Sequence, residues 1–452
     1  MIGRIVLVVA VLAGCDVLPT RRNPNACCTT EADCDALGIP IGSDCAANLE
    51  CIDNTCTQTV CQADSDCTAP NGFCAPEGTC VECVESSQCG DSICDTTLHT
   101  CRGCEVNSEC PLGLCLDGAC HASIVPKYLP NVCDAPATIP TRTFAKFTTI
   151  DTDDDASCTE IVPQTDGPAL CVIRAGVIDI AVGAELRASG SRALALVADD
   201  NLTVEGILDI SANGRVDGPA GGLVTSGGPA TGLVGGGGAG FRTEGAPGGT
   251  TVDGGAANAG DAQLDPATLE ILRGGTRPAA SLAGGGGGAA TLISCRGITV
   301  VSGILAASGG GGAGSRDLNP GVIAGSGGGS GGYFVLQGVN VDVTGQVFAN
   351  GGAGGAGKTN LQTIAQGGNN GTRSLQPALG GDASPGAGDG GNGGTSAAPS
   401  IGRAATVAGA SGGGGGGSSG FLQTYTPAGV APNLVPSAAS PGFQMNLTIR
   451  VR

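Results

Sequence analysis

A pattern that occurs three times, over residues 193–214, 290–310 and 332–352, constrains this chain more than any other feature. In each copy a glycine lies eight residues after the end of an apolar run. Two residues after the glycine comes an apolar residue, four residues after it a small or aliphatic one, and five residues after it Ser or Asn. The three glycines are Gly206, Gly303 and Gly345. Alternation of this kind predicts short β-strands.

A degenerate fourth copy within residues 172–190 sets the length of the repeat. Its glycine, Gly183, precedes Gly206 by 23 residues, which is the length of one coil in a parallel β-solenoid. The predicted fold class is therefore mainly β: small disulfide-rich repeats, then a glycine-rich parallel β-helix or solenoid-like domain with long glycine-rich insertions.

The insertions, at 214–288, 309–332 and 351–420, allow two structures. Glycine loses the most backbone entropy on folding, which favours flexible loops. Runs such as GGAGGAG at 351–357 instead place a small residue at every third position, as polyproline-II helices packed side by side require. Partial order is expected, with the single apolar residues Phe241, Leu272 and Leu361 holding the insertions against the core.

The N-terminus, MIGRIVLVVAVLAGC, has Arg4, a short apolar run and then Leu12-Ala13-Gly14-Cys15. This stretch is too short to cross a bilayer stably and is typical of an export signal. It resembles a bacterial lipobox, which implies that Cys15 is lipidated and that residues 1–14 are removed; the alternatives are an ordinary signal peptide and an anchor helix. Asp16 marks inner-membrane retention in some lipoprotein systems, so the inner membrane stays open beside the outer membrane or cell surface.

Eighteen of the 23 cysteines lie between Cys27 and Cys120. Twelve form a tandem pattern, preceded by a looser first copy: Cys28, Cys34, Cys51, Cys56; Cys61, Cys67, Cys74, Cys80; Cys83, Cys89, Cys94, Cys101; and Cys104, Cys110, Cys115, Cys120. In an exported chain this pattern predicts a disulfide framework, with zinc binding as the weaker alternative. The connectivity inside each unit stays open.

The other cysteines allow further bridges. Cys27 and Cys45 are extra thiols of the first copy, and Cys158 and Cys171 can close a loop. Cys133 and Cys295 either pair with each other or remain free.

The cysteine-rich segment also carries most of the chain's negative charge. Between residues 26 and 121, sixteen Asp and Glu stand against Arg102 alone, in a chain of formal net charge −19. So acidic a surface repels phosphate backbones, which argues against nucleic acid as a partner.

Calcium is the one cofactor that the sequence suggests. Asp151, Asp153 and Asp155 alternate like the start of a calcium loop, but Ala156 and Val162 stand where an EF-hand needs Gly and Glu. No other cofactor or metal is expected.

Five segments are predicted in order: the lipoprotein signal with its lipidated cysteine (1–15), a tether (16–25), the cysteine-rich repeats (26–121), a linker (122–140) and the glycine-rich β-repeat domain (141–452). The cysteine spacing resembles EGF-like or Dickkopf-like modules. As a whole, the chain resembles glycine-rich surface lipoproteins of bacteria with two membranes, a resemblance that implies location and shape but no reaction.

The expected function is that of a non-catalytic, lipid-anchored envelope or surface protein, structural or adhesive, whose partners are the membrane and an extracellular protein or glycan. The alternative is a β-helix polysaccharide lyase or hydrolase, for which Asp199, Asp200 and Asp209 are the clustered carboxylates. The letters GGAGGAGKT at 351–359, ending in Lys358 and Thr359, match a P-loop without the helix that should follow it.

Overall fold

A computed structural model describes residues 49–52, 55–58, 61–67, 71–111, 113–225, 227–255, 258–262, 270–318, 321–361 and 364–452. The chain forms two compact units, Met1–His121 and Ala122–Arg452. The described part contains short 3₁₀ turns and no α-helix, and none of its helices has the length and hydropathy to cross a membrane.

The first unit is a series of small hairpins. They are β1 (Leu49–Ile52) with β2 (Thr55–Gln58), β3 (Phe73–Cys74) with β4 (Cys80–Val81), β5 (Ile93–Asp95) with β6 (Thr100–Arg102), and β7 (Leu114–Leu116) with β8 (Ala119–His121). A 3₁₀ turn precedes each of the last three hairpins: Asp64–Asp66, Ser86–Gln88 and Asn107–Glu109. In every hairpin two cysteines face each other across the strands, as Cys94 faces Cys101.

Two polar side chains fix each 3₁₀ turn. In the repeat that starts at Cys83, the side-chain oxygen of Gln88 accepts hydrogen bonds from the N–H groups of Val84 and Glu85, and the hydroxyl of Ser86 accepts from the N–H of Cys94. Asp64 and Asp66, and then Asn107 and Glu109, do the same in the neighbouring repeats. Polar side chains thus satisfy the backbone N–H groups at each 3₁₀ turn and fix its position against the hairpin that follows.

The second unit contains the repeated strands. They are β9 (Ile124–Val125), β10 (Thr141–Phe144), β11 (Thr148–Asp151), β12 (Glu160–Val162), β13 (Leu170–Ala175), β14 (Val177–Ile180), β15 (Glu185–Ser189), β16 (Ala193–Ala198), β17 (Leu202–Val204), β18 (Ile207–Asp209), β19 (Leu223–Thr225), β20 (Thr276–Pro278), β21 (Ala289–Ser294), β22 (Ile298–Val301), β23 (Ile304–Ala306), β24 (Arg316–Leu318), β25 (Gly321–Ile323), β26 (Tyr333–Gln337), β27 (Asn340–Val343), β28 (Gln346–Phe348), β29 (Phe421–Pro427), β30 (Asn433–Leu434), β31 (Ala438–Ser440) and β32 (Gln444–Val451). A 3₁₀ turn spans Asp155–Ser157.

These strands form a three-sided parallel β-solenoid, which confirms the predicted fold class. The main sheet has the order β12-β13-β16-β21-β26-β29-β32-β9, the second sheet β10-β14-β17-β22-β27-β30 and the third sheet β11-β15-β18-β23-β28-β31. Each coil contributes one strand to each sheet. The main sheet ends on antiparallel strands, β12 at one edge and β9 at the other, which cover edges that would otherwise pair with another chain.

The repeated glycine lies where each coil turns from the second sheet into the third. A Cβ on Gly303 would lie 2.0 Å from the carbonyl oxygen of Gly206, and a Cβ on Gly345 would lie 2.1 Å from that of Gly303. Since no side chain fits there, the coils can approach closely only with glycine at this position. The apolar positions of the repeat, such as Leu208 and Leu305, are fully buried between the three sheets.

The outer face of the main sheet is buried as well. Val172, Val197 and Val335 pack there against residues 122–137, which we call the strap, and against the insertions. The strap pairs with the last strand through β9, and its Lys127 N–H donates to the side-chain oxygen of Gln337 at 2.8 Å. Ile124, Leu129 and Val132 of the strap are buried, so most of the segment predicted as a linker packs against the solenoid.

The described parts of the glycine-rich insertions form extended helices that lie side by side, the second of the two structures that the sequence allows. We call this array the glycine lattice; it comprises residues 234–250, 283–288, 309–315, 325–332, 351–358, 366–371, 379–382, 388–394, 400–405 and 411–420. Its helices bond to one another through the backbone at every third residue. The bonds are Gly236 N to Gly325 O, Gly325 N to Gly412 O and Gly415 N to Gly236 O, and, three residues on, Ala239 N to Gly328 O, Gly328 N to Gly415 O and Ser418 N to Ala239 O.

This three-residue period is that of a polyproline-II helix, whose N–H groups have no partner inside the helix and bond outward. The lattice has no room for side chains at its glycines: a Cβ on Gly238 would lie 2.0 Å from the carbonyl oxygen of Gly416. Phe241 and Leu272 hold the insertions against the main sheet, as predicted, and both are fully buried. The same prediction is wrong for Leu361, which is 97% exposed.

Candidate functional site

The structure pairs the first cysteine of each described repeat with the third, and the second with the fourth. The bridges are Cys61–Cys74 and Cys67–Cys80, Cys83–Cys94 and Cys89–Cys101, and Cys104–Cys115 and Cys110–Cys120, followed in the second unit by Cys133–Cys295 and Cys158–Cys171. Cys15, Cys27, Cys28, Cys34 and Cys45 lie outside the described residues. Disulfides at this density indicate an extracellular or envelope protein.

Among the described residues, groups of three potential metal ligands within 4.8 Å consist of cysteines, such as Cys83, Cys89 and Cys101. Their sulfur atoms are in disulfides, so they carry no thiolate with which to bind zinc.

The carboxylates of the predicted calcium loop bond to neighbouring protein groups. Asp153 accepts hydrogen bonds from the hydroxyl and the N–H of Ser191 at 2.6 and 2.9 Å, which lower the pKa of its carboxyl. Asp155 pairs with Arg192 at 2.7 Å, and Asp151 accepts from the N–H of Asp153. These groups do not form one of the close ligand clusters found in the described part of the chain.

The P-loop letters belong to the glycine lattice. The N–H groups of Gly357 and Lys358 donate to the carbonyl of Gly388 and the hydroxyl of Ser411, at 2.8 Å each. A phosphate cradle needs successive N–H groups that converge on one anion, whereas these bond to separate neighbouring helices. The Lys358 side chain is buried and its ammonium pairs with Asp317 at 2.9 Å.

The three carboxylates considered for catalysis form separate ion pairs. Asp199 pairs with Arg174 at 2.8 Å, and Asp200 lies 4.0 Å from Arg296. Asp209, at the end of β18, lies beside an arginine of the third insertion, Arg373.

Asp209 belongs to a four-membered charge network. The guanidinium of Arg373 lies 2.6 Å from Asp209 and 3.0 Å from Glu185, and that of Arg187 lies 3.2 and 2.9 Å from the same two carboxylates. Burial alone would lower the pKa of Arg373, but the two carboxylates outweigh it and raise the pKa above its ordinary value. Through Arg373 the network joins the third insertion to the solenoid.

This network borders a cleft of about 380 Å³ between the third sheet and the glycine lattice, which we call the Arg373 cleft. Its lining residues are Arg187, Ala188, Ser189, Asp209, Ser211, Ala212, Asn213, Val216, Asp217, Asn370, Gly371 and Arg373. No local motif predicts the cleft, because Arg373 and Asn370 lie far along the chain from Asp209.

A second group of polar residues lies under the strap. The hydroxyls of Tyr128 and Tyr333 are 3.0 Å apart, and Tyr333 also donates to the side chain of Gln423. Burial raises the pKa values of Tyr128, Tyr333 and Tyr425, that of Tyr425 to about 12. These three are all the tyrosines of the chain.

We therefore expect almost no tyrosinate in the folded protein at pH 10, where an ordinary tyrosine is half ionised. At that pH only about 1% of Tyr425 should be ionised. Because the unfolded tyrosines ionise at lower pH than the folded ones, stability is retained below about pH 10 and falls as the pH rises further. An absorbance titration of tyrosinate, run on the native chain and in denaturant, measures the difference, and coincident curves would contradict the burial of this group.

No protein-family model, no curated protein and no solved structure matches this chain. Its function has to be argued from its own residues.

Proposed function

We propose that the protein is a non-catalytic, lipid-anchored protein of the bacterial cell envelope with an adhesive or surface-structural role, anchored through Cys15. The observation that carries the proposal is the glycine lattice. It is an ordered scaffold held together by backbone hydrogen bonds, and such a scaffold suits a structural role. The resemblance of Leu12-Ala13-Gly14-Cys15 to a lipobox supports the anchor.

The side chains that the insertions expose support an adhesive role. Ten large apolar residues in them are well exposed: Val216, Leu223, Val224, Val252, Leu361, Ile364, Leu375, Leu379, Ile401 and Val407. Two of these residues, Leu379 and Ile401, lie in the glycine lattice, and the other eight lie in parts of the insertions outside it. Apolar side chains held on a scaffold that is bonded through its backbone offer contact area at a low cost in entropy on binding.

Metabolic acyl labelling and protease shaving of intact cells test the proposal together. We expect the wild-type chain to incorporate the acyl label, to fractionate with membranes and to be digested by external protease. The control is Cys15→Ala, which removes the acylated sulfur while keeping the rest of the chain, and should lose the label.

Attachment tests the adhesive role in the same strains. Cells with the anchored protein should attach to a surface several-fold better than cells that make Cys15→Ala. A wild-type chain recovered without acyl groups in the soluble fraction would overturn the anchor, and equal attachment of the two strains would overturn the adhesive role.

A further inference from the structure

The bottom of the Arg373 cleft is formed by buried residues, and its rim carries polar side chains. Asp209, Ala188 and Ala212 are nearly fully buried beneath it, while Asn213 and Asn370 are exposed at its rim. Its volume of about 380 Å³ lies in the range of small-molecule sites, about 300–1,000 Å³.

The protein itself already uses many of the acceptor atoms in the cleft. Asp209 accepts from both arginines and from the N–H of Ser211, and Asp217 accepts from the N–H of Gly286. The side-chain oxygen of Asn370 accepts from the N–H of Gly214 at 3.0 Å and from the N–H of the lattice residue Gly311 at 2.9 Å. The amide NH₂ of Asn370 therefore remains for a ligand, and the half-exposed guanidinium of Arg187 adds further donors.

The charges of the cleft are paired within the protein. Arg187 and Arg373 face Glu185 and Asp209, and Asp217 pairs with Arg277 at 3.3 Å. A charged ligand would have to compete with one of these pairs, whereas an uncharged one can bond to the remaining donors. The charge balance therefore favours a neutral ligand with many oxygen acceptors.

The cleft also offers apolar surface. Val216 is 65% exposed, and it lines the cleft together with Ala188 and Ala212. A sugar combines hydroxyl edges with an apolar C–H face, which matches a lining that includes both side-chain donors and small aliphatic groups.

The same contacts hold the cleft in shape before any ligand arrives. Arg373 connects the third insertion to the solenoid, and Asn370 bonds to two glycine runs. A preformed site loses little conformational entropy on binding.

We infer that the Arg373 cleft binds a short segment of an uncharged polysaccharide. The inference deepens the proposed adhesive role and rests on it, by naming glycan as the class of partner. Arg187, Asn213 and Asn370 are the residues that donate to the sugar hydroxyls.

The test is isothermal titration of the purified full chain with neutral tetrasaccharides of glucose, xylose and N-acetylglucosamine, and with tetragalacturonate as the charged comparison. We expect saturable binding of at least one neutral oligosaccharide. Arg187→Ala and Asn213→Ala should each weaken it at least tenfold, since each removes donors from the wall.

Arg403→Ala is the matched control, because Arg403 is 78% exposed, pairs with Asp389 and does not line the cleft. Its affinity should equal that of the wild type, and thermal unfolding of all three variants checks that they fold. The proposal is overturned if no neutral tetrasaccharide binds, if both cleft variants bind as the wild type does, or if tetragalacturonate binds more tightly. Because the purified chain needs no anchor, such a failure is distinct from failure of the acylation and attachment tests.

Discussion

Replacing Gly414 by alanine is expected to lower the free energy of unfolding by about 3 kcal/mol. The new Cβ would lie 2.1 Å from the carbonyl oxygen of Ser326 and 2.4 Å from its carbonyl carbon, so the two helices would have to separate. Gly414 also donates to Gly355 and accepts from Gly391, and separation would strain both of these bonds. Urea unfolding followed by tyrosine fluorescence measures the loss.

Two neighbouring glycines provide a matched comparison for this prediction. A Cβ on Gly368 would lie 2.4 Å from the carbonyl oxygen of Ala353, whereas on the exposed Gly367 the nearest atom would be 3.3 Å away. We expect Gly368→Ala to destabilise the protein strongly and Gly367→Ala to change its stability by no more than about 0.5 kcal/mol. Equal effects at the two positions would show that close packing of the backbone does not hold the lattice together.

Removing the Cys133–Cys295 bridge is expected to cost about 5 kcal/mol. The bridge spans 162 residues, and the entropy that a cross-link removes from the unfolded chain grows with the length of the closed loop. The double variant Cys133→Ala and Cys295→Ala should therefore unfold at much lower urea concentration, with the strap released from the main sheet.

The Cys158–Cys171 bridge is the internal control for loop length. It spans 13 residues, so removing it should cost only about 3 kcal/mol. If the two double variants were equally stable, the strap would be held by its buried apolar residues and not by the long cross-link.

The solenoid could be predicted because each coil is marked by a short pattern of neighbouring residues in the sequence. Gly206, Gly303 and Gly345 mark the same turn in successive coils, and the apolar residues around them alternate with the period of a strand. The spacing therefore predicted the stacked, parallel strands, although the intervening insertions differ greatly in length.

The packing of the lattice helices and the presence of the cleft could not be predicted in the same way. In the lattice the bonding groups are backbone N–H and C=O, which every residue except proline has, so nothing in a glycine run says which neighbour it will contact. The cleft depends on this packing, because only the folded third insertion brings Arg373 to Asp209. Asp199, Asp200 and Asp209 lie close together along the chain and were therefore predicted to form one cluster. In the structure each of them pairs with a different arginine.

The bridges of this protein have a consequence for how it is made. Apart from Cys158–Cys171, each bridge in the described part of the chain joins cysteines that are not consecutive, and the one from Cys133 to Cys295 encloses both Cys158 and Cys171. A chain that is oxidised as it emerges from a secretion channel would first join neighbours in order, giving the wrong partners. A chain made in that way would need thiol–disulfide exchange to reach the native partners, and the strap could be cross-linked only after residue 295 had left the channel.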